Sequence, residues 1–162
     1  MIFVTVGTSS WNFTRLIKEM DRIAEEVNEE VIIQIGYDKY EPKNAKYFRT
    51  TTKEEMERLY ESTRIIVSHA GIGAIISAIK HNKPIIVIPR RMEYGEHFDN
   101  HQVDTARELE REGIVKVVWD IEEIGKVLRD ETINYEFRKD KRLVIALREY
   151  IKSLERNEAE RE

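Results

Sequence analysis

Arg64-Ile65-Ile66-Val67-Ser68-His69-Ala70-Gly71-Ile72-Gly73 is the stretch that decides the fold of this chain. Its β-branched run predicts a strand buried on both faces, and the small residues after it turn the backbone into a helix that runs to about His81. Asn82-Lys83-Pro84 ends that helix. A buried strand feeding directly into a helix is the unit from which parallel sheets with crossover helices are assembled.

The same alternation extends in both directions. Upstream, Ile2 to Val6 predicts a first strand, which leads through Gly7-Thr8-Ser9-Ser10 into a helix with Phe13, Leu16, Ile17, Met20, Ile23 and Val27 on one face. Val31 to Ile35 reads as a second strand, Tyr47 to Thr50 as a short third, and Lys53 to Glu61 as a helix. Downstream, Ile85-Ile86-Val87-Ile88 forms the next central strand and stops at Pro89. A polar loop then runs to Phe98, Asp99-Asn100 caps a further helix, and Gly113 terminates it. Ile114 to Trp119 make a sixth strand, and a short helix follows near Ile121 to Leu128. A last helix, about 134–155, carries Leu143, Leu147, Ile151 and Leu154 on one stripe, and the residues after it fray. The expectation is an α/β, Rossmann-like three-layer domain with a mostly parallel sheet. No repeat or low-complexity linker divides it, so residues 1–162 read as one domain.

Composition narrows the function. The chain has 162 residues, 41% of them apolar, enough for one solid core. It contains no cysteine, which removes disulfides and thiolate metal sites and suits a reducing compartment. A net charge of −4 argues against a nucleic-acid binder, whose phosphate affinity needs a basic surface. The apolar start is too short for a signal-peptide core, and no stretch approaches the roughly twenty residues that span a bilayer. Any membrane association would come through a surface or a partner.

In open parallel sheets ligands bind beyond the carboxyl ends of the strands, where strand order reverses. Gly7-Thr8-Ser9-Ser10, Ser68 to Gly73, and Arg90-Arg91 through Gln102 all fall there, with His69, His97 and His101 among them. Small residues after the fourth strand let backbone N–H groups approach a ligand, and a helix N-terminus favours phosphate, so a diphosphate is expected at Gly71-Ile72-Gly73. The same glycines also permit tight strand-to-helix packing, and spacing does not separate the two readings. His69 reads equally as a structural histidine. Arg90 and Arg91 are candidates for neutralising phosphate, or are partners of Glu93 and Glu96. Asn100 and His101 open a helix, where an Asn cap is ordinary. Gln102 beside them can donate to and accept from sugar hydroxyls, or simply face solvent.

Other chemistries fit less well. Ser9 and Asn12 stand where a dinucleotide fingerprint beginning at Gly7 would place its later glycines. There is no Gly-Lys-Ser/Thr phosphate loop, no Gly-x-Ser-x-Gly elbow, no His-Glu-x-x-His and no Asp-x-Asp pair. Neither cofactor nor metal is expected, and the leaving group is expected to be stabilised by helix and arginine.

Phe3-Val4-Thr5-Val6-Gly7-Thr8, Val67 to Gly73, Lys83 to Pro89 and Asp99-Asn100-His101-Gln102 together resemble the C-terminal, donor-binding domain of glycosyltransferase family 28, in order and spacing over about residues 1–113. Within it the chain is most similar to stand-alone subunits: the catalytic half of the dolichol-linked N-acetylglucosaminyltransferase pair, and the exopolysaccharide subunit PssE. The resemblance implies half of a GT-B fold that binds a UDP-sugar and transfers the sugar with inversion to a lipid-linked acceptor. It implies that Gly71 and Gly73 face the diphosphate with His69 at the same loop, that Thr8 approaches diphosphate or acceptor, and that Gln102 contacts the sugar. Many relatives have an acid at the position of Ser77 that holds the ribose, and Ser77 would bond it more weakly.

The candidate donor-binding set is therefore Gly7, Thr8, Ser68, Gly71, Ile72, Gly73, Ser77, Arg90, Arg91, Asn100, His101 and Gln102. The catalytic candidates are His69, with Glu96 or His97 as general base. A membrane-anchored acceptor-binding subunit, or a second copy, is expected to cover the open face, holding the protein peripherally at the cytoplasmic side of the membrane; the last helix is a candidate docking element. Two rival readings are a non-catalytic nucleotide-sugar-binding or self-assembling module, and half of a sugar-nucleotide epimerase.

Overall fold

The computed structural model describes residues 1–130. The helix expected at 134–155 lies outside them. Six strands, β1 (Ile2–Thr5), β2 (Val31–Gln34), β3 (Lys46–Phe48), β4 (Ile65–Ser68), β5 (Ile85–Val87) and β6 (Lys116–Val117), form one sheet in the order β3-β2-β1-β4-β5-β6. Every pairing is parallel, with Phe3 opposite both Ile32 and Ile66. The helices are α1 (Thr14–Glu26), α2 (Lys53–Ser62), α3 (Ile72–Lys80), α4 (His101–Arg111) and α5 (Ile124–Arg129). This is the doubly wound arrangement, and its strand order reverses between β1 and β4.

Strand pleating sends alternate residues to opposite faces, which explains why the central strands are apolar throughout. Ile2, Val4, Ile65 and Val67 pack under α1 and α5 with Leu16, Met20, Ile124 and Leu128. Phe3, Ile66, Ile85 and Val87 pack on the other side with residues of α2, α3 and α4, including Leu59, Ile75, Ala78 and Leu109.

Several boundaries differ from the sequence reading. β3 starts one residue earlier and stops at Phe48, and β6 keeps two residues of the expected six. Ile114 closes α4 instead, its amide bonding the Leu109 carbonyl after Gly113 turns to φ 69°. The loop after β5 contains a 3₁₀ turn, Met92–Tyr94. Asn100 does not cap α4 with its side chain. Its Oδ1 accepts the Met92 amide at 2.9 Å, and Asp99 accepts the His101 amide at 3.1 Å.

Two buried aspartates fix the route from β2 to β3, and hence the approach to α2. Asp38 accepts the Phe13 amide at 2.7 Å and the Thr14 hydroxyl, capping α1 from a distance. Asp21 accepts the amides of Lys43, Asn44 and Ala45 at 2.7–3.0 Å and the Tyr40 hydroxyl at 2.7 Å. Burial alone would push the Asp21 carboxyl up, but these four donors outweigh it and hold the pKa below the usual value. Asp21→Ala should therefore cost about 2–3 kcal/mol, measured by urea unfolding at pH 7. Because the folded-state pKa is depressed, that stabilisation is present above the unfolded aspartate range and fades as pH falls below it, so the gap between variant and wild type should shrink toward pH 3.

Candidate functional site

The carboxyl ends of the strands are polar where their middles are not. Thr5, Gln34 and Ser68 end β1, β2 and β4, and all three are buried. Thr5 donates its hydroxyl to Gln34 Oε1, and Ser68 Oγ donates to the Thr5 carbonyl at 3.0 Å. Above this floor opens a cavity of about 630 Å³ beside the point where strand order reverses. The loop after β1 contributes Gly7, Thr8 and Ser9 to it; the loop after β4 and α3 contribute His69, Gly71, Gly73, Ala74 and Ser77. The opposite wall is Thr50, Thr51, Lys53, Met56, Glu57 and Tyr60, at and within α2.

The glycines divide by role. A Cβ on Gly71 would lie 2.1 Å from His69 Nε2, and one on Gly7, at φ 73°, would lie 2.8 Å from His69 Cε1. These two are glycines because the imidazole fills the space beside them. A Cβ on Gly73 would meet nothing within 4 Å, so its open side belongs to the cavity. Gly71 begins α3 without a side-chain cap, and no acidic residue occupies the first turn. Among the described residues the amides of Ile72, Gly73 and Ala74 have no acceptor, the first bonded amide of the helix being Ile75 to the Gly71 carbonyl. Free N–H groups and the positive end of a helix dipole are the features by which a helix start attracts an anion.

His69 is held neutral. Burial first, then the charge of Arg90, pushes its pKa down to about 4. At neutral pH the ring is uncharged, with no imidazolium proton to give, and it acts as a neutral hydrogen-bonding group. It remains a rigid hydrogen-bonding ring, 3.3 Å from the Ser68 hydroxyl through Nδ1.

The residues after β5 do not line the cavity, and three of them are corrected. Arg90 is fully buried rather than facing phosphate. Its guanidinium donates to the carbonyls of Val6 at 2.8 Å, Trp11 at 2.7 Å and Asn12 at 2.9 Å, and lies over the Phe13 ring. Burial lowers its pKa to about 10, which leaves it charged at neutral pH. Arg91 points away to the Trp119 carbonyl at 2.9 Å and to Glu93. Glu96 cannot serve as a free base: both carboxylate oxygens meet Arg15, at 2.8 and 2.9 Å, and one also accepts the Arg91 amide.

The rest of this loop forms a rim. His97 Nδ1 lies 2.9 Å from Asp99 Oδ1, and its ring packs against Trp11 and Phe98. Gln102 Oε1 accepts the Arg90 amide at 3.2 Å, fixing that side chain at the start of α4. His101 is exposed. The α2 wall was not anticipated from sequence. Thr5 and Gln34, polar residues ending apolar runs, were the signal that could have pointed toward it.

Residues 1–153 match the glycosyltransferase family 28 C-terminal domain. The UDP-N-acetylglucosamine transferase subunit ALG13 of Mus musculus is 27% identical over 123 residues, 68% of this chain and 10% of that protein. Its namesake in Yarrowia lipolytica is 32% identical over 72 residues, 44% of this chain and 32% of that protein. The chain thus spans about a tenth of the mouse and human relatives it matches. Among solved structures, the calicheamicin glycosyltransferase CalG4 superposes with a TM-score of 0.65 at 14% identity, over 98% of this chain and 42% of its own. MurG of Acinetobacter baumannii does so with a TM-score of 0.52 at 16% identity, over 77% and 39%. These two share the fold, of which the present domain is one half of a GT-B architecture.

The packing of the glycines separates stability from binding. Gly71→Ala should destabilise the protein by about 2 kcal/mol or more, because the His69 ring must be displaced. Gly73→Ala should leave stability unchanged or raise it by about 0.5–1 kcal/mol, since alanine is the better helix former. Urea unfolding of both variants checks the contrast; equal losses would contradict it.

Proposed function

The chain belongs to the glycosyltransferase family 28 C-terminal domain family, and on that premise we propose that it is the donor-binding catalytic subunit of a bipartite inverting glycosyltransferase. The donor is a UDP-sugar carrying N-acetylglucosamine or another hexose; the mouse and human relatives, UDP-N-acetylglucosamine transferase subunits, support the first of these. The acceptor is lipid-linked and held by a membrane-anchored second subunit, which places the protein peripherally at the cytoplasmic face of the membrane. The observation that carries this reading is the set of unpartnered amides at Ile72, Gly73 and Ala74, of which Gly73 and Ala74 line a cavity of about 630 Å³.

The diphosphate rests on those amides, and its nucleoside occupies the cavity between α2 and α3. The sugar then projects toward the rim carrying His97 and Gln102, where the Nε2 amide of Gln102 can donate to a hydroxyl. An acceptor hydroxyl oxygen attacks the anomeric carbon as the bond to the diphosphate oxygen breaks, and UDP departs with the bonding electrons. The amides and the helix N-terminus stabilise that charge where it develops, with no metal in the scheme. The proton lost by the acceptor passes to a base. His97 is that candidate, because Asp99 at Nδ1 leaves Nε2 as the acceptor. Trp11, Tyr94 and Phe98 stand exposed around the rim, which suits a face completed by another subunit.

Calorimetric titration with UDP and UDP-N-acetylglucosamine tests the donor site. Binding is expected, and no binding of either would leave a self-assembling module as the reading. In a transfer assay with the co-expressed partner and a lipid-diphosphate sugar, His97→Ala should lower kcat by about 10²-fold or more while donor affinity holds. An unchanged kcat would assign the base to the partner. Product formed from donor without acceptor would indicate an epimerase.

A further inference from the structure

The two tryptophans of the chain stand in opposite states. The Trp119 indole is used internally: its Nε1 donates to Glu110 at 3.0 Å, and Arg107 lies over the ring. Trp11 is 39% exposed. Its hydrogen bonds among the described residues are made by the backbone, the amide donating to Ser9 Oγ at 3.3 Å and the carbonyl accepting from Arg90 at 2.7 Å, so the indole Nε1 is left without an acceptor. A large ring that faces water on a backbone already held in place is suited to contact, because little ordering remains to be done on binding.

The loop that carries Trp11 joins the two parts of the site. Gly7, Thr8 and Ser9, just before it, line the cavity. The Trp11 ring in turn meets the His97 imidazole, with centroids 6.1 Å apart and planes 34° apart, and Phe98 stacks on the same imidazole at 4.5 Å. With Asp99 at Nδ1, His97 Nε2 makes no hydrogen bond among the described residues. A hydroxyl that gives its proton to Nε2 lies about 3 Å from it. The group carrying that hydroxyl therefore rests within a ring's breadth of the imidazole, and the indole is the larger of the two rings flanking it. The chemistry of this patch selects a sugar over a hydrocarbon chain. A pyranose has an apolar C–H face and a rim of hydroxyls, so it can cover the indole while its hydroxyls meet the indole N–H and His97 Nε2. A hydrocarbon would cover the ring and leave both polar atoms without partners.

We propose that Trp11 is an acceptor-binding residue: its indole stacks on the apolar face of a pyranose at the end of the acceptor and so presents a hydroxyl of that sugar to His97 Nε2. The assignment rests on the reading of His97 as base, and it puts part of the acceptor site on this chain instead of wholly on the second subunit. An aromatic anchor carries a large share of the binding at a contact, so its truncation weakens the acceptor by about ten-fold or more.

The test reads the two indole N–H resonances of the full chain by heteronuclear NMR, assigned with Trp119→Phe. Methyl β-D-glucopyranoside and methyl N-acetyl-β-D-glucosaminide are titrated to about 100 mM, a range that reveals millimolar binding, with and without saturating UDP. The Trp11 signal should shift saturably while that of Trp119 holds. No shift, or equal drift of both signals, would overturn the assignment, as would a shift produced by farnesyl phosphate but by neither glycoside. In the transfer assay with the co-expressed partner and a lipid-diphosphate sugar, Trp11→Ala should raise the acceptor KM by about ten-fold or more and leave the donor KM within about three-fold, with Trp11→Phe recovering part of the loss. Equal change in both KM values would mark Trp11 as a support of its loop and overturn the assignment. Should Trp11→Ala not fold, the titration of wild type decides. The two readings fail separately: a Trp11 shift beside an ineffective His97→Ala supports the sugar contact and moves the base to the partner, whereas an effective His97→Ala beside an unmoved Trp11 signal removes the sugar contact alone.

Discussion

The buried guanidinium of Arg90 is the contact on which the rest of the site depends. A cation taken out of water needs partners for its donors; the terminal nitrogens of this one meet the carbonyls of Val6, Trp11 and Asn12 and its plane lies over Phe13, while its buried Nε has no hydrogen-bond partner among the described residues. It thereby ties the loop leaving β1 to the loop leaving β5, across the point where strand order reverses. The bidentate pair between Arg15 and Glu96 repeats the tie from α1. Arg90 also acts on His69, adding its charge to burial and keeping that ring neutral. A neutral imidazole can pack against the glycines at 7 and 71, and that packing sets the backbone from which α3 starts with its amides open.

The site therefore has two flanks with different physics. On the α2 and α3 side there is a cavity with a polar floor and free amides, which suits a small anionic ligand. On the α4 side there is a rim of aromatic and imidazole groups, with Gln102 held by the Arg90 amide. His69 stands between them, within reach of the electrostatic influence of His97. A donor on one flank and an acceptor on the other would meet above this ring.

Much of the fold was legible because the sheet is buried on both faces. Runs such as Ile65 to Ser68 and Ile85 to Val87 have little alternative to a central strand. The edges were less legible, because β3 and β6 have a single neighbour each and their ends are set by long-range contacts. The caps supplied by Asp38 and Asp21 come from residues more than twenty positions away, which no local pattern reveals. In the site, the start of α3 could be read from Ala70 to Gly73, yet spacing could not say that the imidazole of His69 accounts for two of the glycines. Nor could it say whether an arginine after a strand turns inward or outward, which is why Arg90 read as a phosphate ligand. The α2 wall was missed because Thr50 to Glu57 has the composition of a solvated helix start, and its role appears only when α2 lies beside α3.

The central claim is that a diphosphate lies against the first amides of α3. A crystal structure of the protein soaked with saturating UDP tests it most directly. The account predicts phosphate oxygens at about 3 Å from the amide nitrogens of Ile72, Gly73 and Ala74, with the nucleoside between α2 and α3. Nucleotide bound elsewhere, or those amides covered by side chains of the protein itself, would contradict it.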